Sequence, residues 1–138
     1  MKLPTNIQVF GKPEALDTAS ESTHAITFFN KLRREYPAYG AIATHIRNEG
    51  KRTQQQAMRQ KAEGMTKGAA DIIIPCCPPF ICEMKSRNPN AKVSPEQIEY
   101  LTNAQALGAF VCIGIGYQGA FDAFECFLKK NEKSLQKN

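Results

Sequence analysis

Asp71 is followed, after eleven residues, by Glu83-Met84-Lys85, a spacing that offers two carboxylates and an amine to one site. The run Ala69-Ala70-Asp71-Ile72-Ile73-Ile74 is short, apolar and β-branched, and Phe80-Ile81-Cys82-Glu83-Met84-Lys85 starts apolar and ends charged. Both patterns read as strands. Pro75-Cys76-Cys77-Pro78-Pro79 between them cannot continue either strand, because proline lacks the ladder N–H. A β-hairpin follows. Strand side chains alternate faces, so Glu83 and Lys85 share one side, and folding back about Cys77 brings Asp71 beside Met84.

Two carboxylates about 4 Å apart repel by roughly 4 kcal/mol at an effective dielectric of about 20, and a divalent cation relieves that repulsion. Oxygen ligands from Asp71, Glu83 and the backbone carbonyl of Met84 suit Mg2+, a hard ion that retains waters, with Mn2+ as a substitute. Such an ion polarises a phosphoryl oxygen and acidifies a bound water, while Lys85 orients that water or offsets charge developing on phosphorus. The chemistry implied is phosphodiester hydrolysis. The competing reading makes Glu83 and Lys85 solvated strand-end residues and Asp71 a turn residue. Context weighs against it: Glu63 to Ala70 forms a glycine-containing approach in which backbone can come close to a ligand, and the segment after Lys85 leads into a helix start.

From roughly Glu21 to Phe127 the chain resembles the VRR-NUC domain, a small branch of the PD-(D/E)XK nuclease superfamily. The resemblance is carried by the segments Gly64 to Ile74, Cys82 to Lys85 and Ser94 to Leu101. Ala70 departs from the proline in the superfamily's name, at a position that varies. The resemblance implies an α/β restriction-endonuclease-like core, a mixed four-stranded sheet flanked by helices in the order αβββαβ. It further implies a magnesium-dependent DNA endonuclease of stand-alone phage type, acting on branched DNA such as four-way junctions. Flap, linear duplex or single-stranded DNA is the alternative substrate, and a catalytically silent DNA-binding module is the alternative of another class. Asp71, Glu83 and Lys85 map to the catalytic core, Glu21 to the acidic residue of the first helix, and Gln97 to the glutamine of the helix after the hairpin. Thr18-x-x-Glu21 and Ser94-x-x-Gln97 also match the capping box, and Pro95 strengthens the second. Cap and site roles are compatible.

The elements that must position these residues are legible from periodicity. Glu21 to Tyr36 carries Ala25, Phe28, Phe29 and Leu32 at helical spacing and stops at Pro37. Ala41 to Ile46 alternates weakly as a strand, and Thr53 to Glu63 is a glutamine-rich helical run. Ser94 to Leu107 reads as a helix ending at Gly108, Phe110 to Ile115 as a buried strand, and Gln118 to Lys130 as a final helix. A strand, crossover helix and strand imply parallel neighbours, so Phe110 to Ile115 belongs beside Phe80 to Lys85. His24 and His45 are isolated and read as surface or hydrogen-bonded structural residues, with His45 near enough on its strand to approach the site.

The 138 residues, 42% hydrophobic, suit one domain with its core at about 18–130 and a basic tail at 129–138 that frays. No stretch reaches membrane-spanning length and Met1 to Asn6 lacks the apolar run of a signal peptide, so the cytoplasm, of a bacterial host for a phage protein, is the expected location. The five cysteines show no C-x-x-C pair, which argues against zinc or a disulfide framework; Cys82, Cys112 and Cys126 read as buried small hydrophobes. Between Lys31 and Lys67 nine basic residues face three acids, an excess of six against +5 for the whole chain. Such a stretch fits a phosphate backbone, with Lys51, Arg52, Arg59, Lys61 and Lys67 as the candidate DNA contacts. Two cuts across a four-way junction call for two sites, so a symmetric homodimer is expected, with Phe121, Phe124, Tyr36 and Tyr39 as candidate contact residues wherever the core does not claim them, core packing being the commoner fate of such residues.

Overall fold

A computed structural model describes residues 6–47 and 53–136, with side chains through residue 132. The elements run β1 (Gln8–Phe10), α1 (Glu21–Glu35), α2 (Pro37–Gly40), β2 (Thr44–His45), α3 (Gln54–Ala62), β3 (Ile72–Ile74), β4 (Phe80–Lys85), α4 (Pro95–Ala106), β5 (Phe110–Ile115) and α5 (Gly116–Gln136). They build a mixed sheet in the order β1-β5-β4-β3-β2. Ile72 pairs with Cys82 and Ile74 with Phe80, which centres the turn on Cys77 as the proline cluster requires. β4 and β5 run parallel from Phe80 opposite Phe110 to Lys85 opposite Ile115, joined by α4.

The expected four strands become five. β1 lies ahead of residue 18 and pairs in parallel with β5, Val9 opposite Ile113. Three residues cannot stand as a strand alone; β1 exists because β5 offers it an open edge. The strand expected over Ala41 to Ile46 shortens to Thr44–His45, because Pro37, with φ preset for a first helical turn, starts α2 after α1 ends. The first helix is capped by Ser20, whose hydroxyl accepts from Thr23 N–H at 3.0 Å. Thr18 is two residues too early to reach that turn, so the box expected at Thr18 and Glu21 does not form. Glu21 is instead the first helical residue, where a carboxylate meets the positive end of the helix dipole.

Alternation along β4 separates two layers. Phe80, Cys82 and Met84 join Ile72, Ile74 and Cys112 under α1 and α5, in a core dominated by Phe28, Phe121, Phe124 and Phe127. Ile81 faces the other way with Val111, Ile113 and Ile115 against Leu101 of α4. Glu83 and Lys85 have the parity of Ile81, so they point toward α4. Phe121 and Phe124 are buried in the core and so are not available to the dimer surface for which they were candidates, whereas Tyr36 and Tyr39 pack on the same cluster but remain partly exposed. Cys82 and Cys112 are buried as expected, Cys126 is only partly so, and all five cysteines are free thiols.

His24 is buried between α1 and the start of α5: its Nδ1 accepts from Tyr117 N–H at 3.0 Å and its Nε2 lies 3.3 Å from Asp17 Oδ2. It has the structural role expected. No helix among the described residues is long and apolar enough to cross a membrane.

Candidate metal centre

Asp71 sits one residue before β3, and continuing the register places it opposite Glu83. Its Oδ2 accepts from Met84 N–H at 3.0 Å, the neighbour the hairpin geometry demanded, and its carbonyl accepts from Ile46 N–H. Glu21 approaches from the first turn of α1. Carboxylate oxygens of Glu21, Asp71 and Glu83 all lie within 4.8 Å of one another.

Glu83 is 1% exposed, and its two oxygens differ sharply in their surroundings. Oε2 accepts from Gln97 Nε2 at 3.1 Å and lies 3.6 Å from Lys85 Nζ. Oε1 is buried and meets no hydrogen-bond partner. Burial first, then the Asp71 carboxylate, push the Glu83 carboxyl up to about 10, and nearby Lys85 only partly opposes them. A buried acid with an orphan oxygen beside two more carboxylates is an unsatisfied arrangement. A cation supplies the missing partner, and an all-oxygen donor set suits a hard divalent ion. The residues present fit such a group.

Gln97 both closes a helix cap and touches Glu83. Its Oε1 accepts from Ser94 N–H at 2.9 Å while its own N–H donates to Ser94 Oγ at 3.1 Å, closing the capping box of α4. The remaining amide end reaches Glu83, so the box that starts α4 also fixes the glutamine's direction. Gly68, at φ +80°, lets the approach to Asp71 lie on the first turn of α4; a Cβ there would stand 2.5 Å from the Glu96 carbonyl.

The three carboxylates open into a cleft of about 510 Å³ whose walls include Ser22, His45, Arg47, Lys67 and Gln97. His45 thus reaches the site edge, joined there by Ser22 and by Arg47, which the basic stretch includes but no motif places at the site. Arg47 stands two residues beyond His45, a same-side relation along an extended chain that could have drawn attention to it. Of the candidate DNA contacts, Lys67 lies at the cleft, 3.4 Å from Glu96 Oε1, and Lys61 lines a neighbouring cleft. Arg59 pairs with Glu63 at 3.3 Å on an exposed helix face. Lys51 and Arg52 fall outside the described residues.

No sequence-family profile matches the chain, and no curated relative matches it by sequence. Among solved structures, one described as a VRR_NUC domain protein superposes with a TM-score of 0.69, covering 80% of this chain and 89% of that one at 17% identity. The chain has the fold of a VRR-NUC domain. The shared fold is a mixed sheet with flanking helices, which has five strands among the described residues rather than the four expected. At this identity the likeness concerns the backbone. The acidic cluster rests on the distances within this chain.

Proposed function

We propose that the chain is a single-domain, divalent-metal-dependent nuclease of the PD-(D/E)XK type that hydrolyses phosphodiester bonds in DNA. The observation that carries this reading is Glu83, buried at 1% exposure with one oxygen orphaned, within 4.8 Å of Glu21 and Asp71 oxygens and 3.6 Å from Lys85. A residue with only a structural duty would be better replaced by an apolar one at that position. The VRR_NUC name of the structural neighbour supports the same chemistry.

Glu21, Asp71, Glu83 and the Met84 carbonyl are the ligands we assign to Mg2+, with Mn2+ able to substitute. When bound, the ion supplies Lewis acidity toward a phosphoryl oxygen and a more acidic water. The chain's own residues do the rest. Lys85, 12% exposed in its side chain, places an ammonium beside Glu83 where it can orient a water or donate to a phosphate oxygen. Gln97 holds Glu83 in place from the rigid start of α4, and Met84 N–H does the same for Asp71. Arg47 and Lys67 in the cleft walls offer positive charge to the flanking phosphates.

The substrate we favour is branched DNA cut by a symmetric homodimer, since two sites related by a twofold axis match the two strands of a four-way junction. Incubating the protein with branched and linear DNAs, with and without magnesium, tests the reading. Glu83→Gln, Asp71→Asn and Lys85→Ala are each expected to lower cleavage at least about a hundredfold while leaving DNA binding largely intact. Unchanged cleavage by Glu83→Gln would sink the assignment. Light scattering with junction DNA tests the dimer; a monomer in every condition would favour flaps or single strands.

A further inference from the structure

We propose that the cleft between α3 and α4 seats one unstacked nucleobase beside the carboxylate cluster, so that the protein selects DNA with an unpaired nucleotide near the cut. This rests on the nuclease reading above and adds its substrate class.

The cleft holds about 680 Å³, within the span of roughly 300–1,000 Å³ typical of small-ligand sites, and is lined on one side by Met58 and Met65 and on the other by Tyr100. α3 buries none of its own residues, and Met58 is 67% exposed. A nine-residue helix has little stability by itself in water even with the Thr53 capping box, so a helix held off the body with its apolar face open is suited to an occupant that it covers. The cleft also adjoins the acidic one: Lys67 and Glu96 line both. Their 3.4 Å ion pair is exposed, a type worth little in water, so a phosphate can replace Glu96 as the partner of Lys67 at small cost.

Charge then selects which part of a nucleotide enters. Glu96 and Glu99 on the α4 wall repel a phosphate from the interior, while Lys61 and Lys67 attract the backbone to either side. A base brings two apolar faces and a polar edge. Tyr100 and the methionine thioethers meet the faces, and the Glu99 carboxylate and Asn103 amide are positioned along the same wall to meet the edge. A peptide segment would match the apolar surface but leave its backbone amides without an ordered set of partners.

Duplexes carrying 2-aminopurine, either as a single unpaired base or fully paired, test this with calcium in place of magnesium. The unpaired probe is expected to change fluorescence on binding and to bind roughly tenfold tighter than the paired one, the effect of one stacked base. Met58→Ala should reduce that preference severalfold and Tyr100→Ala should remove it, both with paired-duplex affinity unchanged. Met58 is exposed, so its variant reports even where Tyr100→Ala fails to fold. A silent probe, or a preference that survives Met58→Ala, overturns the proposal. So does a Met58→Glu protein that loses a dimer by light scattering yet keeps the probe signal, since a second copy of the chain then fills the cleft. Failure of the nuclease reading looks different: no cleavage of any DNA with magnesium, while the probe still responds and the base seat stands.

Discussion

The two faces of the sheet carry different kinds of interior. Under α1 and α5 the core is aromatic and continuous: Phe80 lies 5.8 Å from Phe110, 5.6 Å from Phe124 and 5.4 Å from Phe127, ring centre to ring centre. Under α4 the apolar layer is aliphatic, with Leu101 the one fully buried residue of the helix, and it gives way to Glu83, Lys85 and Gln97 at the end of β4. One strand serves both, because alternate residues of β4 face opposite layers. The aromatic side supplies cohesion that the polar side spends on holding a carboxyl where water would be preferred. Cohesion and the acidic cluster are thereby divided between the two faces of one sheet.

The largest effects should separate the faces most clearly. Phe80→Ala is expected to destabilise by about 3–5 kcal/mol, whereas Leu101→Ala should fall near about 2–3 kcal/mol. Urea unfolding followed by circular dichroism measures both, and equal losses would show that the α4 layer is as cohesive as the aromatic one. Gly68→Ala comes next. Its positive φ and the 2.5 Å approach to Glu96 together predict a loss of about 1–3 kcal/mol, with at least a tenfold drop in cleavage as the start of α4 and Gln97 are displaced. Gly64, at φ +102° with no atom within 4 Å of a built Cβ, is the control: Gly64→Ala should cost only about 1 kcal/mol and leave cleavage intact.

Glu83 sharpens the comparison through pH. Its carboxyl titrates at about 10 in the folded, metal-free protein against an ordinary 4.5, so the folded state holds a proton the unfolded state has lost between those values. Its contribution to stability is therefore complete below about 4.5 and declines as pH rises toward 10. Metal must displace that proton, so the rise in Tm on adding Mg2+ should grow with pH. Glu83→Gln keeps the shape without the titrating proton. It should raise the metal-free Tm at pH 8 by roughly 3–5 °C and abolish the metal-induced rise, and calorimetry across pH 5–9 reads both. A metal-free stability that climbs through this range would refute the buried, protonated acid. Arg59→Ala marks the small end: its exposed pair with Glu63 predicts a change under about 0.5 kcal/mol by the same unfolding measurement.

Local sequence determined the hairpin, and with it most of the site. Proline at both ends of the turn, β-branched residues on one side and alternating parity on the other set Asp71 against Met84 and put Glu83 with Lys85, because those consequences depend on chain geometry over fewer than twenty residues. Ser94 and Pro95 likewise announced α4 and Gln97 within it. The tertiary structure decided what depends on partners distant in the chain. β1 is a strand only beside β5, and Phe121 and Phe124, candidates for a dimer surface from sequence, fill the core instead. Glu21 reaches Asp71 and Glu83 only because α1, capped at Ser20, lies with its first turn against the end of the sheet. Burial of Glu83, and the acidity it alters, arises from how α4 and the sheet close over it, since desolvation is a property of the assembled surface and no local pattern encodes it.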